Sequence, residues 1–205
     1  MSILELMLQG GILMYVLLLI SIAVMGIVIE KYRQLAKANK ANRALLAGLD
    51  GHNGEQLKQL VEEYTPSSPI ARMLAKVLGS NTMDKDILTQ SLESAANFEL
   101  HMLERGMAWL STFAAIAPLI GFLGTVIGMV RVFMNIQHQS SAGIDINILA
   151  GGIWVALLTT IGGLIVGIIS IVFYNDIVNR LESILHDMQD SASNFLVSQP
   201  RNHEA

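Results

Sequence analysis

Three long stretches of this 205-residue chain contain no Asp, Glu, Lys, Arg or His: residues 6–29, 107–130 and 146–175. Each exceeds the roughly 20 residues that a helix needs to cross about 30 Å of hydrocarbon. Only 15% of the residues are charged, against roughly a quarter in soluble domains. This pattern predicts an all-α, polytopic membrane protein with three transmembrane helices.

Lys and Arg are concentrated between the first two predicted spans. Five lie at positions 31–43 and three more at 76–105, whereas the segment between the second and third spans has a single Arg. Cytoplasmic loops carry the excess of positive charge, so the long segment is predicted to be cytoplasmic. The predicted segments are residues 1–30 (periplasmic N-terminus and first transmembrane helix), 31–106 (cytoplasmic helical region), 107–130 (second transmembrane helix), 131–145 (short periplasmic loop), 146–175 (third transmembrane helix) and 176–205 (cytoplasmic C-terminal helix).

The cytoplasmic segments read as helices that extend the spans. Residues 30–48 continue the first span, and residues 175–197 continue the third with an apolar face at helical spacing. Turn residues separate two short predicted helices at 56–64 and 70–78. No segment has the alternation of a strand.

A longer helix is predicted to begin near Asp84. The preceding Ser80, Asn81 and Thr82 are residue types that cap helix N-termini. No proline interrupts the chain before Pro118, so this helix is predicted to run unbroken into the second span.

Composition excludes several classes of function. The net charge of −4 gives no basic face for nucleic acid, and the absence of cysteine excludes disulfides and thiol chemistry. The five His residues lack ligand spacing, and no phosphate-binding loop is present, so an enzyme is not predicted. The first span is longer than the apolar part of a signal peptide and follows Glu5 rather than Lys or Arg, which favours a retained transmembrane helix.

Small residues recur at three- to four-residue spacing in the second and third spans. In lipid, such stripes let helices approach closely, because association there depends on packing. Most of these positions are therefore interpreted as helix-packing and pore-lining residues. They are Ala117, Gly121, Gly124 and Gly128 in the second span, and Gly152, Ala156, Thr159, Gly163, Gly167 and Ser170 in the third.

The hydroxyl groups of Thr125, Thr159 and Thr160 lie at membrane depth. A threonine there usually bonds its own backbone, so the residues alone leave packing and an ion pathway both open. Pro118 frees a carbonyl inside the second span, which neighbouring groups must satisfy. No Asp, Glu, Lys, Arg or His lies within a span, and a proton relay needs a titratable group at depth. If the chain conducts ions, a second protein must supply the acid.

Two ordered motifs resemble the MotA/TolQ/ExbB proton-channel family. They are Leu103-Glu104-Arg105-Gly106 with the segment 116–129 (IAPLIGFLGTVIGM), and the segments 149–153 (LAGGI), 156–160 (ALLTT) and 174–175 (YN). The match is close over residues 103–175. The three-span layout with the N-terminus outside resembles the ExbB and TolQ branch rather than the four-span flagellar stator.

The resemblance implies a homopentamer in the bacterial inner membrane. Its second and third spans would line a pore around two copies of a single-span partner of the ExbD/TolR type, whose membrane aspartate carries the ion. The resemblance also implies that Thr125 and Thr160 are pore residues. The work would be delivered towards the periplasm, with a TonB- or TolA-like protein as a further partner. No cofactor would be needed beyond the transported proton or sodium ion.

One position departs from the ExbB and TolQ pattern. Those proteins carry a glutamate five residues before the pore threonine, and that position here is Val155. Flagellar stator subunits also lack the glutamate, so the layout resembles ExbB while the pore resembles a stator. The adjacent Thr159 and Thr160 provide two hydroxyl oxygens, and hard cations prefer oxygen ligands, so a sodium-driven variant is a second hypothesis.

Alternatives to an ExbB/TolQ-like motor subunit remain. They are a stator-like, gliding or secretion motor subunit, and a non-conducting scaffold that gathers single-span proteins. A solute transporter would show inverted repeats, which the sequence lacks.

Overall fold

The computed structural model describes residues 11–49, 55–79, 84–138 and 146–198. These residues form six α-helices and no strand, which confirms the all-α prediction. The helices are α1 (Ile12–Leu49), α2 (Glu55–Tyr64), α3 (Pro69–Leu78), α4 (Lys85–Glu104), α5 (Met107–His138) and α6 (Ile146–Ser198). Three of them, α1, α5 and α6, are long and apolar enough to cross a membrane, as predicted.

The chain divides into two compact units. The apolar unit comprises the described residues of Met1–Ile29 and Gly106–Asn175, and the polar unit those of Glu30–Arg105 and Asp176–Ala205. Helices α1 and α6 each contribute to both units, whereas α2, α3 and α4 belong to the polar unit alone.

Large apolar side chains cover the outside of the apolar unit. Leu119 and Phe122 on α5 and Ile161 and Ile168 on α6 are each more than half exposed. A soluble monomer rarely leaves such a continuous apolar surface to water. Lipid tails or other apolar helices must therefore cover this surface.

The polar unit has a core of its own. Helix α3 packs against both α2 and α4, and its Ile70 and Met73 are fully buried with Leu45 of α1. Ser68 caps α3 by accepting a hydrogen bond from the Ala71 amide at 3.1 Å. Such a cap stabilises a short helix by about 1 kcal/mol.

Two polar contacts fasten α1 inside the polar unit. The buried Lys31 ammonium donates a hydrogen bond to the Leu103 carbonyl at 2.8 Å, and this burial lowers the pKa of Lys31. The Tyr32 hydroxyl donates to the Asp176 carboxylate at 2.5 Å, and Arg180 donates to it at 2.7 Å. The hydrogen bond from Tyr32, followed by that from Arg180, lowers the pKa of Asp176.

The prediction of one unbroken helix from Asp84 into the second span is wrong. Helix α4 ends at Glu104, and α5 begins at Met107. Between them Arg105 leaves the helical conformation with a ψ of 123°, and Gly106 has a φ of 95°. Glycine adopts positive φ without the steric cost of a Cβ atom, so this residue permits the break.

Helix α4 begins at Lys85, as predicted, and is capped by Asp84, whose side chain accepts from the Asp86 amide. The predicted capping segment 80–82 lies outside the described residues. Helix α5 continues to His138, so the first part of the predicted loop 131–145 is helical. The apolar run after position 131 prolongs the helix, and its Val132 is buried.

Substituting Gly106 with alanine should destabilise the protein. A Cβ atom at positive φ costs about 1–2 kcal/mol, so the melting temperature in detergent should fall. Gly26→Ala is the control, because a Cβ there meets open space and alanine favours helix over glycine. Equal melting temperatures for Gly106→Ala and the unmodified protein would show that the break does not need positive φ.

Candidate functional site

Helices α5 and α6 meet through glycines that face each other. A Cβ atom on Gly163 would lie 2.5 Å from the Ala117 carbonyl oxygen and 2.8 Å from the Gly121 Cα. A Cβ atom on Gly121 would in turn lie 2.9 Å from the Thr159 carbonyl oxygen. Both helix backbones are therefore too close for any side chain at these two positions.

The same contact extends along both helices. Gly128 lies against Ala156, and Gly152 lies against Val132. Ala117 and Ala156 are buried as well. The small residues that were predicted to pack thus form one α5–α6 contact. Through Gly152 and Val132, this contact extends beyond residue 130, the predicted end of the second span.

Thr159 belongs to this packing contact. Its side chain is 2% exposed and lies directly over Gly124, where a Cβ atom would collide with it. Its hydroxyl donates to the Ala156 carbonyl of its own helix at 2.8 Å. The position favours a packing role for Thr159, for which the sequence left packing and an ion pathway both open.

Thr160 connects the two helices by a hydrogen bond. Its hydroxyl donates to the Gly121 carbonyl oxygen at 3.0 Å, and the side chain is half-buried. In a regular helix this carbonyl also accepts from the amide of the residue four positions on, which is Thr125. The bond therefore holds Thr160 at the level of Thr125.

Thr125 keeps its hydroxyl on its own helix. The group donates to the Phe122 carbonyl at 2.5 Å, and the side chain is half-buried. Each of the three threonine hydroxyls thus has its proton engaged by a carbonyl. A hydroxyl oxygen still has lone pairs free in that state, so Thr125 and Thr160 can accept a hydrogen bond or contact a cation.

Pro118 packs against a further small residue. A Cβ atom on Gly167 would lie 2.6 Å from the proline ring and 3.2 Å from the Ala114 carbonyl oxygen. Proline lacks the amide that would normally bond this carbonyl. The freed carbonyl consequently faces the Gly167 backbone in the α5–α6 contact.

Two neighbouring positions lie outside the glycine contact. Val155, where the resemblance would place a glutamate, is half-buried on α6. Gly162 turns away from α5 and faces α1, with the Met14 sulfur 3.3 Å from where its Cβ would be. Helix α6 therefore packs on both α1 and α5.

No sequence pattern predicted the polar contacts that lie next to the ends of the spans. Tyr32 and Asp176 bond each other across 144 positions, and Lys31 reaches Leu103 across 72. Lys31, Tyr32 and Asp176 each follow a predicted span closely, which was the available signal, whereas Leu103 lies just before a span. No local pattern could have paired them, because the pairing depends on how the helices assemble.

The chain belongs to the MotA/TolQ/ExbB proton channel family. Its residues 65–190 match this family, and this range contains all of α5 and most of α6. The protein is therefore a multi-pass membrane protein of a proton-channel family.

Individual relatives agree with this assignment. The chain is 28% identical over 184 residues to a biopolymer transport protein ExbB homolog of Methanothermobacter thermautotrophicus, covering 88% of this chain and 64% of that protein. It is 33% identical over 107 residues to the ExbB-like protein 3 of Synechocystis, covering 52% and 51%. It is 30% identical over 115 residues to exbB1 of Vibrio cholerae, covering 56% and 50%. The chain thus spans about half to two thirds of the length of these relatives.

Two adjacent glycines provide a test of the α5–α6 contact. Gly163→Ala should lower the melting temperature in detergent, since its Cβ meets backbone atoms that cannot move aside, and such overpacking costs about 1–3 kcal/mol. Gly162→Ala should be nearly neutral, because its Cβ meets only the side chains of Met14 and Leu17 and no backbone atom. Equal effects of the two substitutions would contradict the assigned helix contact.

Proposed function

We propose that this chain is the channel and scaffold subunit of an ion-driven complex that couples ion flow to work across the cell envelope. The observation that carries the proposal is the neutral hydroxyl site on α5 and α6, where Thr160 bonds the Gly121 carbonyl at 3.0 Å. Hydroxyl and carbonyl oxygens can pass a hydrogen bond or contact an ion, but they cannot store a proton. The family assignment and the names of the relatives support the same conclusion.

The ion carrier is proposed to come from a second protein. The charge-free stretches of the spans contain no Asp, Glu, Lys, Arg or His, so a membrane carboxylate must be brought by a partner helix. The resemblance to ExbB and TolQ suggests two copies of a single-span ExbD/TolR-like protein inside a homopentamer. A TonB- or TolA-like protein would receive the work. The complex is proposed to lie in a bacterial inner membrane with the N-terminus of this chain periplasmic and its C-terminus cytoplasmic.

Protons are the favoured ion. The sodium hypothesis rested on two adjacent hydroxyl oxygens, Thr159 and Thr160. The Thr159 side chain is 2% exposed against Gly124, which removes support for its oxygen as an ion ligand. A protonated carboxyl group needs only acceptor oxygens beside it, and Thr125 and Thr160 can supply these.

Two alternatives have observations in their favour. Val155 in place of the glutamate favours a stator-like pore, and with it a gliding or secretion motor. The glycine contact of α5 and α6 would serve equally in a non-conducting scaffold. The scaffold alternative is distinguished by ion flux, since it predicts none.

Thr160→Val should slow proton flux about tenfold through the complex reconstituted in liposomes with its partner. Valine keeps the shape but removes the oxygen that would accept from the carrier, and one lost hydrogen bond of about 1.5 kcal/mol corresponds to roughly a tenfold change in rate. Thr160→Ser should retain flux. Thr159→Val is the matched control, because it removes the neighbouring buried hydroxyl and should leave most of the flux.

Proton flux is measured with a pH-sensitive dye under a pH gradient, and sodium flux separately with a sodium-sensitive dye under a sodium gradient. Equal flux for Thr160→Val and the unmodified complex would refute the pore assignment. Loss of flux on Thr159→Val together with a response to sodium would instead restore the sodium hypothesis. A complex that forms without any flux would favour the scaffold.

A further inference from the structure

Four cations form a stripe on α1 in the polar unit. Arg33, Lys37, Lys40 and Arg43 are all exposed, and at 3.6 residues per turn they occupy about a third of the helix circumference, opposite the buried Leu35. The segment 31–49 contains no Asp or Glu. Within the described part of the chain none of these four cations forms an ion pair.

The same face of α1 is otherwise made of small side chains. Ala36, Ala44 and Ala47 lie exposed between or beside the cations. Small residues allow another helix to come close, and the aliphatic stems of Lys and Arg can pack on apolar surface while their charges stay solvated. The basic stripe is therefore shaped to lie against a surface that is apolar in its centre and acidic at its edge.

Such a surface lies elsewhere in the polar unit. A groove of about 530 Å³ runs between α4 and α6, and Leu92, Ala96, Ala192 and Leu196 line it with apolar surface. It extends over residues 89–97 of α4, which is about 12 Å of helix. The basic stripe covers about 15 Å of α1 by the same measure.

The edge of the groove is polar and acidic. Glu93, Asn97 and Gln189 line it, and the exposed carboxylate of Glu93 forms no ion pair within the described residues. The groove thus has the charge, the length and the apolar centre that match the basic stripe. Both surfaces belong to the polar unit, and each is left open by its own chain.

We propose that the basic stripe of α1 docks into the α4–α6 groove of a neighbouring copy of this chain. Each copy would offer a stripe on one surface and a groove on another, so the contact is head-to-tail. Head-to-tail contacts form a ring when the rotation between neighbouring copies closes. The inference rests on the homo-oligomer of the proposed function and specifies which surfaces hold it together. Lys37 and Lys40 would lie beside Glu93 of the neighbouring copy.

Anionic lipid headgroups fit the stripe less well. With a rise of 1.5 Å per residue, Lys40 lies about 16 Å and Arg43 about 21 Å along the helix from Ile29, the end of the charge-free stretch. The headgroup layer of one leaflet is only about 5–8 Å thick. A headgroup would therefore reach Arg33 but not the far half of the stripe.

Cross-linking tests the docking, because the chain has no cysteine of its own. One tagged copy carries Lys40→Cys, and a second copy with a different tag carries Glu93→Cys, both expressed together in full-length complexes. A short bis-maleimide reagent should join the two copies, since a Lys–Glu pair separates the backbones further than a disulfide tolerates. Lys40→Cys with Glu62→Cys is the control, because Glu62 is an exposed acid on α2 outside the groove.

Charge exchange gives the second readout. Lys40→Glu and Glu93→Lys should each reduce the oligomer seen by native mass spectrometry at least severalfold, and the double variant should restore it. An intact oligomer without the specific cross-link, or without rescue, overturns the docking while leaving the proposed function standing. A monomeric unmodified protein refutes the oligomer itself. Loss of binding to phosphatidylglycerol vesicles by Lys40→Glu, with the oligomer unchanged, would identify lipid as the occupant and also overturn the docking.

Discussion

The close approach of α5 and α6 at Gly121 and Gly163 is the contact on which the candidate site depends. A Cβ on either residue would meet backbone atoms of the other helix at 2.5–3.1 Å, so only glycine allows this separation. At this separation the Thr160 hydroxyl reaches the Gly121 carbonyl. A wider contact would break this bond and leave Thr160 to bond its own helix, as Thr159 does. The close packing of α5 and α6 therefore determines where the Thr160 hydroxyl and the Gly121 carbonyl of the candidate site lie.

The absence of ionisable side chains from the spans limits what this subunit can do by itself. Charged side chains are costly at the centre of a bilayer, and this chain avoids that cost by keeping Asp, Glu, Lys, Arg and His out of its spans. The hydroxyls of Thr125, Thr159 and Thr160 have their protons engaged by carbonyls and offer lone pairs only. A subunit built in this way can surround and solvate a carboxyl group but cannot replace it, which is why the proposed function requires a partner.

The polar unit uses contacts of charged side chains, which the spans lack. Lys31 bonds the end of α4 just before the break at Gly106, and Tyr32 bonds Asp176 at the start of the polar part of α6. The Arg72–Glu99 ion pair joins α3 to α4 in the same unit. These contacts hold the short helices to the long ones, while the stripe and the groove remain open for a neighbouring copy.

Sequence alone determined the all-α class, the three apolar helices and the stripes of small residues, because charge-free length and helical periodicity are local properties. It also determined that no acid lies at membrane depth. Only the tertiary structure distinguished Thr159, which is buried on Gly124, from Thr160, which bonds the opposite helix, since adjacent residues on a helix point about 100° apart and their surroundings depend on the neighbouring helix. The break at Gly106 likewise required the fold: glycine permits a positive φ but does not demand it, and only the backbone conformation revealed which state this glycine adopts.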